Sequence, residues 1–384
     1  MKLFFGNSVG QIIALALYPY IARFYFPADF SSFGFMSSLT MILAVFATGQ
    51  FHTALLNPDR EEEVHSLIGL STVLVTIFSV VTFIVLFIYD KSLVLVPFYL
   101  FVYSLFEIQK MYFIRKKLYS ESAYSQIIFR LFGNGAKLLP PAVGLKSNGL
   151  ILTEIFSLCL VVIYGFKKSV FNFKWDKETF NKYKSFPMFQ TFTMAVNLLI
   201  LDFPILFWVD KFPKEDLGYF VIGQKLIVLP ALVVSNAIQN ASVHNFLESR
   251  NPLSTYLRQT LSVVTLGMIC SLIFYFYGGD LLSNILGPKW SNGAHVFGLL
   301  SLLVITKLVF ATTQATFVLR GVTKRTLFLR SLQVYLLIFL FNPKIGFYES
   351  LKFYILLDMT FDAIHMIWAG FIIRPPFLFR QQPK

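Results

Sequence analysis

Twelve apolar stretches, each about as long as a bilayer is thick, run through this 384-residue chain with short polar joints between them. A helix rises about 1.5 Å per residue, so about 20 residues cross the roughly 30 Å of membrane hydrocarbon. Hydrophobic residues make up 56% of the chain and its mean hydropathy is +0.66, which is more apolar surface than a soluble fold can bury. We predict an all-α polytopic membrane protein with helices at Phe4–Ala22, Phe33–Phe51, Leu67–Tyr89, Leu93–Phe113, Ala123–Leu145, Gly149–Phe166, Pro187–Val209, Leu217–Ala241, Leu257–Tyr277, Ala294–Phe317, Thr326–Phe341 and Phe353–Ile373.

Membrane topology explains the net charge of +13. Of the 33 Lys and Arg residues, twenty fall on predicted inward segments or within three residues of an inward helix end, eight on outward segments and five deeper within helices. Cytoplasmic loops of membrane proteins carry such an excess of positive charge, so we predict that both termini lie in the cytoplasm. Because topology accounts for the basic pI, we predict no nucleic-acid partner.

The sequence offers no motif for catalysis, a cofactor or a metal. Cys159 and Cys270 are the only cysteines, and they lie half a chain apart within predicted helices. They give neither a disulfide framework nor a metal site. The sequence also has no Gly-rich phosphate loop and no serine nucleophile elbow. We therefore predict a transporter rather than an enzyme, with no cofactor and no metal.

The chain divides near its middle into two similar halves. The longest polar interruption, residues 167–185, carries six lysines and separates six predicted helices from six. The turn after helix 1 and the turn after helix 7 match loosely, as Phe26-Pro27-Ala28-Asp29 with Gly34-Phe35 and as Phe212-Pro213-Lys214-Glu215 with Gly218-Tyr219. An even number of helices per half gives both copies one orientation. We predict two pseudo-symmetric six-helix lobes, 1–166 and 187–384, joined by a cytoplasmic linker at 167–186, with helices 1, 2, 7 and 8 facing a central cleft.

Ten Lys, Arg, Asp and Glu residues lie within the predicted helices and more than three residues from their ends, where each charge costs about 3 kcal/mol on insertion scales. They are Arg130, Lys137, Lys225, Lys307, Arg330, Glu107, Glu154, Asp202, Asp358 and Asp362. Five of these residues are bases and five are acids. An ion pair that fixes helix packing can therefore account for the presence of any one of them. The alternative is that some of these side chains line a wet cavity.

Helical spacing groups several of these residues with polar neighbours. Arg130, Asn134 and Lys137 follow an i, i+4, i+7 pattern on helix 5, and Lys225, Asn236 and Asn240 share a face of helix 8. Gln11 on helix 1 and Lys307 on helix 10 mark further polar faces. We predict that these eight residues line a substrate cavity, with Lys225 as the best-placed cation.

Asp358, Asp362 and His365 form another i, i+4, i+7 stripe, on helix 12. Two carboxylates one turn apart compete for a proton, and a histidine titrates near neutral pH. The stripe predicts a proton-coupling site. The alternative is that these residues are salt-bridge partners of the basic helices.

Five segments between residues 22 and 303 resemble the O-antigen flippases of the Wzx type, and the resemblance follows nearly the whole chain in order. They are ARFYFPADFSSFGF (22–35), TALLNPDREEEVHSLIGLS (53–71), KYKSFPMFQTFTMAVNLLILDFPILF (182–207), LGYFVIGQKLIVLPALVVSNAIQNA (217–241) and LGPKWSNGAHVFGLLSLL (286–303). These motifs are loose and mostly structural. The flippases belong to a superfamily of two-lobed exporters that also holds multidrug antiporters, so the resemblance implies a MATE-like fold.

The resemblance implies that the chain moves an undecaprenyl-diphosphate-linked oligosaccharide from the cytoplasmic to the outer leaflet of a bacterial inner membrane. It also implies the lipid bilayer, a polysaccharide polymerase and a chain-length regulator as partners. Two other functions stay open. One is a multidrug or cation antiporter of the same fold, although such proteins favour cavity carboxylates over lysines. The other is a membrane glycan polymerase or ligase, which the short outward joints disfavour.

Overall fold

The computed structural model describes residues 2–58, 60–139, 144–168, 176–249, 251–342 and 344–373, which form helices joined by short turns. Within these ranges there is no β-strand. The α-helices are α1 (Lys2–Phe24), α2 (Pro27–Thr48), α3 (Glu61–Tyr89), α4 (Leu95–Arg115), α5 (Tyr119–Ala136), α6 (Ser147–Lys167), α7 (Lys177–Tyr183), α8 (Ser185–Leu201), α9 (Phe203–Trp208), α10 (Lys214–Gly223), α11 (Leu229–Glu248), α12 (Pro252–Ile273), α13 (Gly279–Leu286), α14 (Ala294–Ser301), α15 (Leu303–Arg320), α16 (Thr323–Phe339) and α17 (Phe347–Ile372).

Eight helical segments in the described part of the chain are long and apolar enough to cross a membrane. They are Pro27–Thr48, Glu61–Tyr89, Lys91–Arg115, Ser147–Lys167, Lys214–Glu248, Pro252–Leu286, Pro288–Arg320 and Phe347–Ile372. Val9–Phe24 and Phe189–Leu201 are shorter apolar helices. Large apolar side chains such as Ile77, Ile88 and Leu261 are exposed, as expected of helices surrounded by hydrocarbon. The all-α polytopic prediction is confirmed, while the count of twelve crossings stays a prediction.

The turn between α1 and α2 differs from the sequence expectation. Helix 2 was predicted to begin at Phe33, but α2 already begins at Pro27. Pro27 occupies the first helical position, where its fixed φ and missing N–H are tolerated. Asp29 Oδ2 accepts a hydrogen bond from the Phe26 N–H at 3.0 Å, which caps the helix. Gly218, within α10, lies against the first residue of α2. A Cβ on Gly218 would overlap the carbonyl oxygen of Pro27, so only glycine permits this close approach.

Helix 5 is shorter than predicted. The sequence predicted Ala123–Leu145, whereas α5 ends at Ala136 and Lys137 caps its C-terminus. Pro140 and Pro141 follow in the sequence, and proline cannot continue an α-helix because it lacks an N–H donor. Residues 140–143 lie outside the described ranges.

Several long apolar segments are interrupted within the chain. The predicted helix 7 breaks at Asp202 between α8 and α9, where Pro204 follows. Two π-helical turns, Gln224–Val228 and Phe274–Gly278, interrupt the segments Lys214–Glu248 and Pro252–Leu286. A 3₁₀ turn at Pro288–Gly293 leads into α14. These breaks change the helical register, so spacing along the sequence does not predict shared faces across them.

The chain forms two compact units, Met1–Gly218 (unit 1) and Tyr219–Lys384 (unit 2). Within unit 1, α8 and α9 pack against α2. The short α7 in the linker is held to the start of α3, because Lys182 Nζ contacts Glu63 at 2.8 Å. The hydrogen bond from Thr179 lowers the pKa of Asp176, which caps α7. The lobe boundaries at 166 and 187 stay predictions, and the C-terminal tail 374–384 lies outside the described residues.

Candidate functional site

A buried ion pair lies within unit 1, where α1, α2, α5 and α6 meet. We define the unit-1 cluster as Lys137, Glu154, Asn134, Tyr18 and Phe33. The Lys137 side chain is fully buried, and its Nζ pairs with Glu154 Oε1 and donates to Asn134 Oδ1 at 3.1 Å. The rings of Phe33 and Tyr18 lie 4.9 and 5.6 Å from Nζ. A carboxylate, an amide oxygen and two π faces thus surround the ammonium and offset its desolvation.

Arg130 lies on α5 against Gly10 of α1, and Gln11 is the next residue of α1. Arg130 is half-buried, and its guanidinium lies 5.1 Å from the Phe129 ring. Asn134 Nδ2 donates to the Arg130 carbonyl at 2.8 Å, so the predicted helix-5 stripe is joined by hydrogen bonds. Gln11 is exposed on α1. A cavity role for these residues stays a prediction.

A larger charged network lies within unit 2, where α15, α16 and α17 meet. We define the unit-2 cluster as Lys307, Asp358, Gln333, Arg330 and Asp362. Asp358 Oδ2 accepts from Lys307 Nζ at 2.8 Å, and Asp358 Oδ1 accepts from Gln333 Nε2 at 3.0 Å. Gln333 Oε1 in turn accepts from Arg330 Nη1 at 2.8 Å, and Arg330 Nη2 pairs with Asp362. Two bases and two acids therefore form one hydrogen-bonded chain with no net charge.

The predicted proton-coupling residues lie in and beside this cluster. Asp358 is fully buried, and Arg330 Nη1 approaches its Oδ1 at 3.9 Å in addition to the Lys307 pair. His365 is also fully buried, and its Nδ1 lies 2.7 Å from the Phe361 carbonyl. The His365 Nε2 has no hydrogen-bond partner among the described residues. The two carboxylates thus have basic partners, and their coupling role stays a prediction.

Lys225 differs from the other intramembrane bases because it lies in a π-helical turn. The turn Gln224–Val228 follows α10 and precedes α11, and Lys225 is partly exposed within it. A π-turn inserts an extra residue into a helix and recurs at functional sites. Gly223 is the residue just before this turn, and a Cβ there would lie 2.6 Å from Leu300 Cδ1. The backbone at the start of the π-turn therefore packs closely on α14.

Asn236 and Asn240 lie one turn apart on α11 and both are exposed. Their predicted shared face with Lys225 assumed a continuous α-helix. The extra residue of the π-turn rotates later residues by about 100° relative to a continuous α-helix. Spacing alone therefore does not place Lys225 beside these amides. An amide exposed to hydrocarbon is costly, so Asn236 and Asn240 indicate a wet face of α11.

Two polar residues that hold the unit-2 cluster together were not predicted from the sequence. Gln333 is fully buried and connects Arg330 to Asp358, and the i, i+3 spacing of Arg330 and Gln333 was the available signal. Thr306 Oγ1 contacts Asp358 Oδ2 at 3.1 Å, and threonine is too common in membrane helices to stand out. Within the described ranges, no group of three His, Cys, Asp or Glu side chains is placed to bind a metal.

Comparison with known proteins identifies both a family and a fold. The sequence profile of a family described as "Polysaccharide biosynthesis protein" matches residues 20–295. No curated protein sequence matches the chain significantly. An inward-facing multidrug resistance MATE family transporter of the MOP superfamily superposes with a TM-score of 0.65 at 14% identity, covering 94% of both chains.

Two further solved structures show the same fold. An outward-facing multidrug resistance MATE transporter superposes with a TM-score of 0.59 at 11% identity, covering 97% of this chain and 95% of the other. A eukaryotic MATE transporter superposes with a TM-score of 0.54 at 14% identity, covering 96% and 92%. The predicted MATE-like fold is confirmed.

Proposed function

Because the chain belongs to this family of polysaccharide biosynthesis proteins and has the fold of MATE transporters, we propose that it is a flippase for a lipid-linked oligosaccharide. The proposed substrate is a repeat unit of an O-antigen or related surface polysaccharide, carried on undecaprenyl diphosphate. It moves from the cytoplasmic to the outer leaflet of a bacterial inner membrane by alternating access. A polysaccharide polymerase and a chain-length regulator are the proposed protein partners.

The substrate sets three physical requirements. Sugar hydroxyls lose hydrogen bonds to water in hydrocarbon, so the path must offer polar partners. The diphosphate loses its hydration as well, so the path needs positive charge. The polyprenyl tail must remain in lipid throughout. The flippase therefore does no covalent chemistry, and its polar residues replace water along the path.

The structural observation that carries this proposal is the difference between Lys225 and the other lysines in the membrane. Lys137 and Lys307 are buried and contact Glu154 and Asp358. Burial makes both ammonium groups hard for a diphosphate to reach. Lys225 is partly exposed on the 35-residue segment Lys214–Glu248, which also carries exposed Asn236 and Asn240. We propose Lys225 for the diphosphate and the two asparagines for sugar hydroxyls, with Arg130, Asn134, Lys137, Lys307 and Gln11 as secondary candidates.

The proposed function is tested by reconstituting the purified protein in liposomes that contain a fluorescent undecaprenyl-diphosphate oligosaccharide. A membrane-impermeant quencher or glycosidase reports how much substrate has reached the far leaflet. We expect the full-length protein to speed translocation over protein-free liposomes. Translocation no faster than in protein-free liposomes would contradict the proposal.

A multidrug or cation antiporter is the second candidate, because the solved MATE structures in the comparison include multidrug resistance transporters. The ion pairs disfavour it, since an organic cation would compete with Lys307 and Arg330 for Asp358 and Asp362. The same liposomes separate the candidates when they are loaded with a cationic dye. Dye transport without glycolipid transport would favour the antiporter.

We also propose that Asp358, Asp362 and His365 couple transport to protons. Support comes from the complete burial of His365 and its Nε2, which has no hydrogen-bond partner within the described residues. An imposed pH gradient should accelerate glycolipid translocation by the unmodified protein and should not accelerate it in His365→Gln. Equal responses of the two proteins would contradict this role.

A further inference from the structure

A surface groove of about 350 Å³ lies in unit 1 between the middle of α5 and the C-terminal half of α6. Ile128, Leu160 and Ile163 form its apolar wall, and Leu160 and Ile163 are 38% and 54% exposed. One side of the groove is α6, which is long and apolar enough to cross a membrane, so the natural solvent of the groove is lipid. Its apolar wall therefore fits one hydrocarbon chain.

Polar groups lie at one end of this groove. Lys167 lines it and occupies the last turn of α6, where a helix C-terminus favours a cation. Tyr164 lines it too, and its hydroxyl donates to Glu121. Glu121 also contacts Lys168 Nζ at 3.3 Å, and this hydrogen bond raises the pKa of Lys168. Lys168 is thus neutralised by a protein carboxylate, whereas Lys167 has no ion pair within the described residues.

A second groove, in unit 2, shows what distinguishes the first. It lies between α12 and α17, has a volume of about 450 Å³, and is lined by uncharged residues such as Leu257, Val264 and Ile367. Both grooves can hold a hydrocarbon chain. The α5–α6 groove alone of these two has a cation in its lining, so charge complementarity selects an anionic lipid there.

We propose that the α5–α6 groove binds an anionic phospholipid, with one acyl chain along Ile128 and Leu160 and the phosphate at Lys167. The distance between the apolar wall and the lysine favours this occupant, because Leu160 and Lys167 are seven residues apart, about 10 Å along the helix. That distance joins a headgroup to the upper part of an acyl chain. This inference does not depend on the transported substrate.

The test counts lipids bound to the purified full-length protein by native mass spectrometry, with phosphatidylglycerol and phosphatidylcholine of identical chains as probes. Two pairs of variants separate the contribution of the headgroup to binding from that of the acyl chain. Lys167→Ala removes the phosphate contact, and Lys168→Ala is its matched control because Glu121 neutralises Lys168. Leu160→Trp fills the groove, and Leu152→Trp is its control, since Leu152 is 39% exposed on the same helix and does not line the groove.

We expect the unmodified protein to hold one phosphatidylglycerol more tightly than phosphatidylcholine. Lys167→Ala should weaken the binding of phosphatidylglycerol about fivefold and leave the binding of phosphatidylcholine unchanged, because one interfacial lysine contributes that much to anionic-lipid binding. Leu160→Trp should weaken both lipids, and the two controls should match the unmodified protein. The proposal is overturned if Lys167→Ala keeps the full preference, if both lysine variants lose it equally, or if the unmodified protein binds the two phospholipids equally.

Discussion

In unit 1, Lys137 is buried completely beside Glu154 and two aromatic rings, whereas in unit 2 two bases and two acids are connected in a chain through Gln333. Both clusters keep charge within the protein and away from lipid. They differ in the number of polar groups that surround each charge. In unit 1 the ammonium faces one carboxylate and one amide oxygen. In unit 2 Asp358 receives Lys307, Gln333 and Thr306 together.

This difference shows how a membrane protein can keep charges that would be costly in lipid. A pair depends strongly on each partner, because removing one leaves the other charged in a low-dielectric site. A network spreads that loss, because the remaining donors still reach the unpaired atom. Lys137 and Lys307 are buried in these clusters, whereas Lys225 is partly exposed. We therefore interpret both ion-paired lysines as stabilising the fold, keep the proposed proton coupling for Asp358 and Asp362, and assign the main substrate contact to Lys225.

The largest effect is expected from Lys137→Met in unit 1. The substitution keeps the approximate shape of the side chain but removes the ammonium beside Glu154. We expect a loss of about 3–5 kcal/mol in unfolding free energy, as found when one partner of a buried pair is removed. Denaturant unfolding of the purified protein in detergent measures it. Adding Glu154→Gln should recover part of the loss, because it removes the buried negative charge.

The exposed pair Lys352–Glu349 is the control for this experiment, since its Nζ–Oε1 distance of 2.7 Å resembles that of a buried pair. Lys352→Met should change the unfolding free energy by less than about 1 kcal/mol, because water screens an exposed pair. If Lys137→Met is as mild as Lys352→Met, the unit-1 pair does not stabilise the fold.

A smaller effect is expected from Lys307→Met in unit 2. Asp358 would keep its hydrogen bonds from Gln333 and Thr306, and Arg330 lies 3.9 Å from its Oδ1. We expect a loss of about 2 kcal/mol, the contribution of one hydrogen bond to a charged group. The same unfolding experiment ranks it against Lys137→Met. A larger loss at Lys307 than at Lys137 would reverse the comparison between pair and network.

The smallest effect is expected from Thr306→Val, which removes one hydroxyl donor from Asp358 and leaves both bases, Lys307 and Arg330, in place. We expect a loss of about 1 kcal/mol. Thr316→Val on the same helix is the matched control, because the Thr316 hydroxyl contacts the Thr312 carbonyl of its own helix at 3.2 Å. Equal thermal unfolding midpoints for the two variants would show that the Thr306 hydroxyl does not support the network.

Hydropathy was enough to predict the fold class, because the requirement to bury backbone groups in lipid leaves few alternatives to helices. The ends of helices were less predictable. α2 begins six residues before Phe33 because Pro27 and Asp29 form a good helix start, and α5 ends before Pro140. Composition within an apolar run does not show these local signals clearly.

The charged residues were predictable as a set, but their partners were not. The equal number of acids and bases suggested ion pairs, and the structure pairs Lys137 with Glu154 and Arg330 with Asp362. Which acid meets which base depends on helix packing, which one sequence does not contain. The π-turn around Lys225 was also unpredictable, since it inserts one residue without a distinctive sequence.

The central claim is that Lys225 contacts the lipid diphosphate while the buried lysines stabilise the fold. Its most direct test is the rate of glycolipid translocation in liposomes for Lys225→Ala and Lys225→Arg, at equal amounts of folded protein. We predict that Ala abolishes translocation and that Arg retains part of it, since arginine keeps the charge but not the shape. The double variant Lys137→Met with Glu154→Gln should translocate at a rate near that of the unmodified protein. A normal rate for Lys225→Ala would contradict the account.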